Sequence, residues 1–331
     1  MINSDEINKC QVELFARIQK MLPEKSALVH VVSDLLGIGI DATYRRLRGA
    51  KSLSLGETIK LCDHFRISLD STISSTNEMK IQCEYAPYNF RNLDDYINYV
   101  KIINYSLEDF RQMPESEILV SVADVHLFNI LSYNELTIFK LFSFQKNMNS
   151  FSGGFDDFAK EIPVEELSKS CKNTVKYYNS IPSFEIWTTS ALESTLRMID
   201  YHYEMGHFYN SQTPLLICKQ LIDMMDKVQI WTEKGTKGEH ETPFKLFIID
   251  IDIGNTFLLF RNKERANCFV RLYTINGLNT SDKYFCQEIE SLLRNLAKRS
   301  TLISNASEKD RHKFFNSQRQ KIQVLIAKIQ S

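Results

Sequence analysis

The stretch VVSDLLGIGIDATYRRLRGAKSLSLGETIKLCDHFRISLD, residues 31–70, decides the reading of the amino-terminal part of the chain. It packs Arg45, Arg46, Arg48 and Lys51 into seven positions, yet threads Tyr44 and Leu47 among them. Stepping about 100° per residue from Ile40 brings Thr43, Tyr44 and Leu47 within about 60° of it, which predicts an inward stripe of these four. Arg45, Ala42 and Arg46 then form the outer face, with Asp41 and Arg48 at its border. Gly37 is placed to end the preceding helix and Gly49 to turn the chain out of the basic one. Ser54 and Glu57, three residues apart before an apolar run, carry the signature of a capping box opening a fourth helix.

Working outward, Ile7, Leu14, Phe15, Ile18, Met21 and Leu22 keep helical spacing and stop at Pro23, predicting a first helix over 5–22. A second begins near 24–26 and runs to Leu36. After the fourth helix, ISLD at 67–70 is expected to add a closing turn or helix.

The order helix, helix, glycine turn, basic helix, loop, helix resembles the helix-turn-helix domain of the Cro and lambda-repressor (Xre-like) regulators. Gly37 matches the turn glycine of that family, and Gly49 the glycine after the recognition helix. Gly39 stands where the family often has a capping serine, and Thr43 where an aliphatic core residue is usual. The resemblance implies that Val29–Leu36 supports and Ile40–Arg48 reads double-stranded DNA. The candidate DNA-binding residues are Asp41, Ala42, Arg45, Arg46, Arg48 and Lys51, with Arg45 and Arg46 at base edges and Arg48 and Lys51 on phosphates. A small Ala42 would let the backbone approach. The resemblance covers about a fifth of the chain.

The chain has 331 residues, more than one compact core usually holds, so more than one domain is expected. The reading is a helix-turn-helix domain over 1–72, a Ser/Thr-rich linker over 73–90, and a dimerisation or effector-sensing domain over 91–331. The formal net charge of −1 is uneven. Residues 294–331 hold nine basic against two acidic side chains, and residues 1–70 ten against nine, leaving the middle acidic. A global charge argument for nucleic acid therefore fails, and only local patches carry one.

Beyond residue 90, helices are expected over 92–113, 134–148, 163–179, 190–209, 213–233, 281–299 and 307–329. Strands are expected near 80–87 and over 117–125, 244–253, 256–261 and 268–275. Gly254-Asn255 is a hairpin turn pair between two of them, so the fold class is mostly α with a smaller antiparallel sheet, α+β. Phe315, Ile322 and Ile329, with Leu325 between, recur as a seam that two chains could share or that packs on its own domain. Lys309, Arg311, Lys313, Arg319 and Lys321 beside it are either a solvated face or a nonspecific phosphate contact.

Chemical signals are sparse. Seven cysteines stand singly without a C-x-x-C pair, against a disulfide framework or a zinc site. His202 and His207 are five apart, not the four that a helix-borne metal pair needs. Asp250-Ile-Asp252 lacks the distal glutamate of a calcium loop. With no G-x-S-x-G, phosphate loop or dinucleotide fingerprint, no enzyme, catalytic residue, metal or cofactor is expected. The aromatics Tyr177, Tyr178, Phe184, Trp187, Tyr201, Tyr203, Phe208, Tyr209 and Trp231 either fill a core or wall an effector pocket.

No amino-terminal or internal run is apolar enough for a signal or membrane span, so a cytoplasmic location is expected. One recognition helix reads few base pairs, which implies a homodimer on a pseudo-palindrome. A small-molecule effector of unknown identity completes the expected partners, and a protein-interaction adaptor is the alternative function. Two stretches, YTINGLNTSDKYFCQEIESLL (273–293) and STLISNASEKDRHKFF (300–315), resemble the tail of uncharacterised Bacteroidetes regulators and assign no residues.

Overall fold

The computed structural model describes residues 4–22, 27–65, 67, 81–85, 93–148, 151–251, 253–273 and 276–331. The chain forms two compact units, Met1–Gln82 and Cys83–Ser331, each considered separately. Among the described residues no helix is long and apolar enough to cross a membrane.

In the smaller unit, α1 (Ser4–Met21), α2 (Ala27–Leu36), α3 (Ile40–Leu47) and α4 (Leu55–His64) surround a core of Leu14, Phe15, Ile18, Val32, Leu36 and Leu61. Gly37 ends α2 at φ +66°, a left-handed conformation costly for any side chain bearing a Cβ. The capping box at α4 forms as its sequence predicts. The Ser54 hydroxyl accepts from the Glu57 amide at 3.2 Å, and Glu57 Oε2 accepts from the Ser54 amide at 2.8 Å. Ile67 packs half-buried against this core, while the rest of the ISLD turn, 68–70, and most of the 73–90 linker lie outside the described residues. Glu84–Tyr85, within that stretch, is strand β1 of the larger unit.

The larger unit is α+β around a nine-stranded mixed sheet. Its strands are β2 (Glu117–Val122), β3 (Ser183–Thr188), β4 (Thr236–Lys237), β5 (Thr242–Ile249), β6 (Phe257–Arg261), β7 (Ala266–Tyr273), β8 (Asn276–Thr280) and β9 (Thr301–Leu302). The order is β1-β8-β7-β6-β2-β3-β5-β4, with β9 also on β5. The expectation of an antiparallel sheet is corrected at its centre: β2, β3 and β5 are parallel. Long helical crossovers make this necessary. Between β2 and β3 lie α5's successors α6 (Leu127–Ile130), α7 (Asn134–Met148), α8 (Phe155–Glu161) and α9 (Val164–Asn179), while α5 itself (Leu93–Arg111) precedes β2. Between β3 and β5 lie α10 (Glu193–Glu204) and α11 (Gln212–Lys234).

The hairpin expected at Gly254-Asn255 is likewise not formed. β5 pairs with β3 and β6 with β2, so the connection passes the ends of two central strands. The turn glycine still adopts a left-handed φ of +70°, which a turn needs but which says nothing about what the turn joins. The neighbouring hairpin is β6–β7, closed by the Asn262 amide donating to the Arg265 carbonyl.

Register divides the core. Ile118, Val120, Glu185, Trp187, Phe244 and Leu246 point to the side packed by α7, α11 and α13 (Glu308–Gln330). Leu119, Phe184, Ile186, Leu259 and Cys268 point to the other, under α12 (Lys283–Lys298). The α13 seam is settled in favour of its own unit: Phe315, Ile322, Leu325 and Ile329 are buried in that first core. Its basic residues are tied down as well. Arg319 pairs with Asp226 at 2.6 Å, Lys321 with Glu193 at 2.9 Å, and Lys328 with Asp200 and Glu204. Arg311 is buried and donates to the Ile303 and Ala306 carbonyls, while Lys309 and Lys313 remain exposed. Part of the charge of the acidic middle and the basic tail is thus paired inside one unit.

Candidate nucleic-acid interface and the cleft of the larger unit

Helix α3 is rotated from the expected setting. Thr43 and Arg46 are buried and Leu47 and Ala42 half-buried, while Ile40 and Tyr44 are exposed together with Asp41, Arg45 and Arg48. The inward direction therefore lies near Thr43, about 60–80° from the Ile40–Leu47 stripe on a helical wheel. The correction falls on Arg46 above all. It is 6% exposed, donates to the Ala42 carbonyl at 3.1 Å, and pairs with Glu57 at 2.7 Å, so it belongs to the fold and not to an outer face. That guanidinium, the largest influence on Glu57, holds its carboxyl below the usual range. Ala42 lies at the edge, and the exposed set is Asp41, Tyr44, Arg45, Arg48 and, in the following loop, Lys51.

Sequence reading missed Gln11, which fixes that loop. From α1 its side-chain amide donates to the Arg46 carbonyl at 2.7 Å and the Lys51 carbonyl at 2.9 Å, and its Oε1 accepts from the Leu53 amide at 2.8 Å. One buried side chain thereby satisfies a carbonyl in the last turn of α3 and two backbone groups of the loop that follows it. Tyr44 was expected inside. Instead it carries Arg48 over its ring, 5.9 Å from the centroid.

The aromatics singled out from the sequence are mostly core: Tyr178, Phe184, Trp187 and Trp231 are buried and Tyr177 and Tyr203 pack beside them, whereas Tyr201 and Tyr209 lie at the surface. A cleft of about 1300 Å³ opens elsewhere. Its floor is the face of β6, β7 and β8 opposite α12, where alternation brings Leu258, Phe260, Phe269, Arg271 and Asn279 together. Gly277 shares that face because Phe269 fills its side-chain position; a Cβ there would stand 2.4 Å from the ring. Helix α5 and the segment following β2 form the walls.

Within that segment Asp124 is closed on itself. It accepts from the Val125 amide and the Thr195 hydroxyl, both at 2.8 Å, and from Lys140 at 3.0 Å. Burial raises its pKa, but the Lys140 charge and these bonds bring it below the ordinary value. His126, next along, is driven down to about 4 by burial, with Lys237 and Arg271 pushing the same way against Glu185. It is a neutral imidazole at pH 7.

His202 and His207 face each other, Nδ1 to Nδ1, at 2.8 Å, with the Ser143 hydroxyl 3.0 Å from His202 Nε2. No cluster of three metal-ligating side chains exists among the described residues. Asp250 accepts from the Thr189 hydroxyl at 2.7 Å, and Asp252 is outside the described residues. Comparison with known proteins finds no matching family model, no matching curated protein and no matching solved structure.

Proposed function

We propose that the chain is a sequence-specific DNA-binding transcriptional regulator that acts as a homodimer, with the larger unit serving dimerisation or effector sensing. The observation that carries this reading is the outer face of α3. A short helix anchored by Thr43, Arg46 and Leu47 presents Tyr44, Arg45 and Arg48 to solvent, beside Lys51 in a loop clamped by Gln11. Arg45 is then the base reader and Arg48 and Lys51 hold phosphates. Arg46 leaves the contact set and becomes the strut beneath it.

Selection of bound sequences from a random DNA pool tests the reading, followed by gel retardation. Arg45→Ala costs about 1–3 kcal/mol on the selected site and relaxes base preference. Lys51→Ala weakens all sequences alike and flattens the salt dependence by about one phosphate contact. If both variants retain DNA as the parent does, α3 is not the reading helix.

One observation favours the alternative of a protein-interaction adaptor. Leu55 is 72% and Ile59 55% exposed, one turn apart on α4, close in sequence to the exposed Ile40 and Tyr44. In that case Leu55→Ser with Ile59→Ser abolishes capture of a partner protein while added salt does not.

A further inference from the structure

The sheet face over β6–β8 explains itself poorly as packing alone. Its opposite face is sealed by α12, and over β2, β3 and β5 the same face is filled by helices. Here it opens to a cleft, beside the carboxyl end of β2, where the chain leaves for β3 on one side and an antiparallel strand borders the other. Its volume of about 1300 Å³ exceeds that of most small-molecule sites.

The polar groups within it are of two kinds. Asp124 with Lys140, and Arg261 with Glu290 at 2.9 Å, are satisfied by each other. Arg265 reaches Asp109 only at 3.9 Å, where both side chains are well exposed, and Glu84, Glu264 and Lys283 are exposed. Arg271 is different: half-buried on the floor, it has no hydrogen-bond or ion-pair partner among the described residues. Lining the same cleft, His126 Nδ1 accepts from the Phe128 amide at 3.2 Å, which assigns the ring proton to Nε2 and leaves that N–H as a donor without an acceptor among the described residues. A half-buried guanidinium and an imidazole N–H call for an acceptor carrying one negative charge. Among the described floor residues no second cation stands beside it to suit a phosphate dianion. The remaining surface is apolar, with Tyr96, Phe110 and Phe128 on the walls and Phe260 and Phe269 on the floor.

We propose that this cleft binds an organic monocarboxylate with an extended apolar body, its carboxylate held by Arg271 and the His126 Nε2–H and its body laid along the aromatic walls. As the site of effector sensing this rests on the regulator reading above. As a binding site it stands apart from it.

The test is calorimetric titration of the full chain with dodecanoate and 4-phenylbutanoate, with dodecan-1-ol and inorganic phosphate as controls. At least one acid binds, at least tenfold more tightly than either control, and Arg271→Gln weakens it tenfold or more. Because Arg271 has no protein partner, that variant keeps the parent's melting temperature. A second substitution, Phe260→Ala, weakens the acid while the alcohol loses the same factor, which separates body from headgroup. Failure of both acids to bind, equal binding of acid and alcohol, or binding indifferent to Arg271→Gln overturns the proposal. DNA retention is then measured with and without the acid. Arg271-dependent binding with unchanged retention keeps the site and removes its sensing role, whereas DNA retention without acid binding keeps the regulator and removes the site.

Discussion

Glu185→Ala is expected to lower the unfolding free energy of the larger unit by about 3–5 kcal/mol, because three buried donors lose their acceptor at about 1–3 kcal/mol each. Glu185 lies mid-strand in β3 and is 0% exposed, because register turns it to the same face as Trp187 and into the main core. Its carboxylate accepts from the Tyr178 hydroxyl, from the Ser183 hydroxyl at 3.1 Å and from the Trp187 indole at 3.0 Å. Lys237, 1% exposed, donates to the Ser183 hydroxyl at 2.9 Å and stands 3.3 Å from the centre of the Tyr178 ring. Alanine would orphan three donors and, by removing the pull that favours its charged form, leave Lys237 as a neutral amine. Glu185→Gln keeps the shape and one acceptor and should cost less, about half. Burial lowers the Lys237 pKa to about 7, against the pull of Glu185. The folded lysine thus gives up its proton more readily than the unfolded one, whose value is 10.5. Between these values the unfolded state binds more protons, so stability rises with pH from about 7 upward. Lys237→Met removes that rise. Urea denaturation at pH 7 and pH 9 checks both, and a Glu185→Ala cost below about 1 kcal/mol would refute the coupling.

Local patterns in the sequence were enough to find most elements. The fourth helix was legible because Ser54 and Glu57 carry their own geometry, and 134–148 was legible to its ends. What failed was long-range. SFEIWT at 183–188 is buried on both faces yet carries Ser183, Glu185 and Thr188, so it lacks the continuous apolar run of such a strand and did not read as one, and without it the sheet lost its parallel centre. Gly254 signalled a turn and β5 and β6 were near in sequence, but pairing is decided by which strands the crossovers bring together. Candidate-site errors have the same origin. A wheel drawn over eight residues weighs Ile40 and Tyr44 as core and Arg46 as surface. It cannot know that Glu57, eleven positions on, offers Arg46 a buried partner. Arg271 was equally hidden: CFVRLYTI reads as a strand, yet only the sheet shows that one of its two faces is left open.

The Arg46–Glu57 pair carries the second large effect. Arg46→Ala is expected to cost the smaller unit about 2–4 kcal/mol, somewhat under the full buried-pair range because the Glu57 side chain keeps 17% of its exposure. A unit of some eighty residues has only about 4–12 kcal/mol to lose, so the open form becomes populated. DNA retention should then fall together with amide-exchange protection in α3 and α4. Arg45→Ala instead lowers retention with protection intact, and this contrast separates a strut from a reader. Replacing both partners by apolar residues, Arg46→Met with Glu57→Leu, restores part of the stability, since no charge is left buried alone. Acid supplies an independent check. The Glu57 pKa is lowered below 4.5 in the folded unit, first by its bond to Arg46. Its contribution is therefore complete above that value and disappears as pH falls through the lower folded one. In Arg46→Ala the folded and unfolded values converge and that acid loss shrinks. A variant that melts, exchanges and titrates like the parent would return Arg46 to the surface, and with it the original setting of the helix.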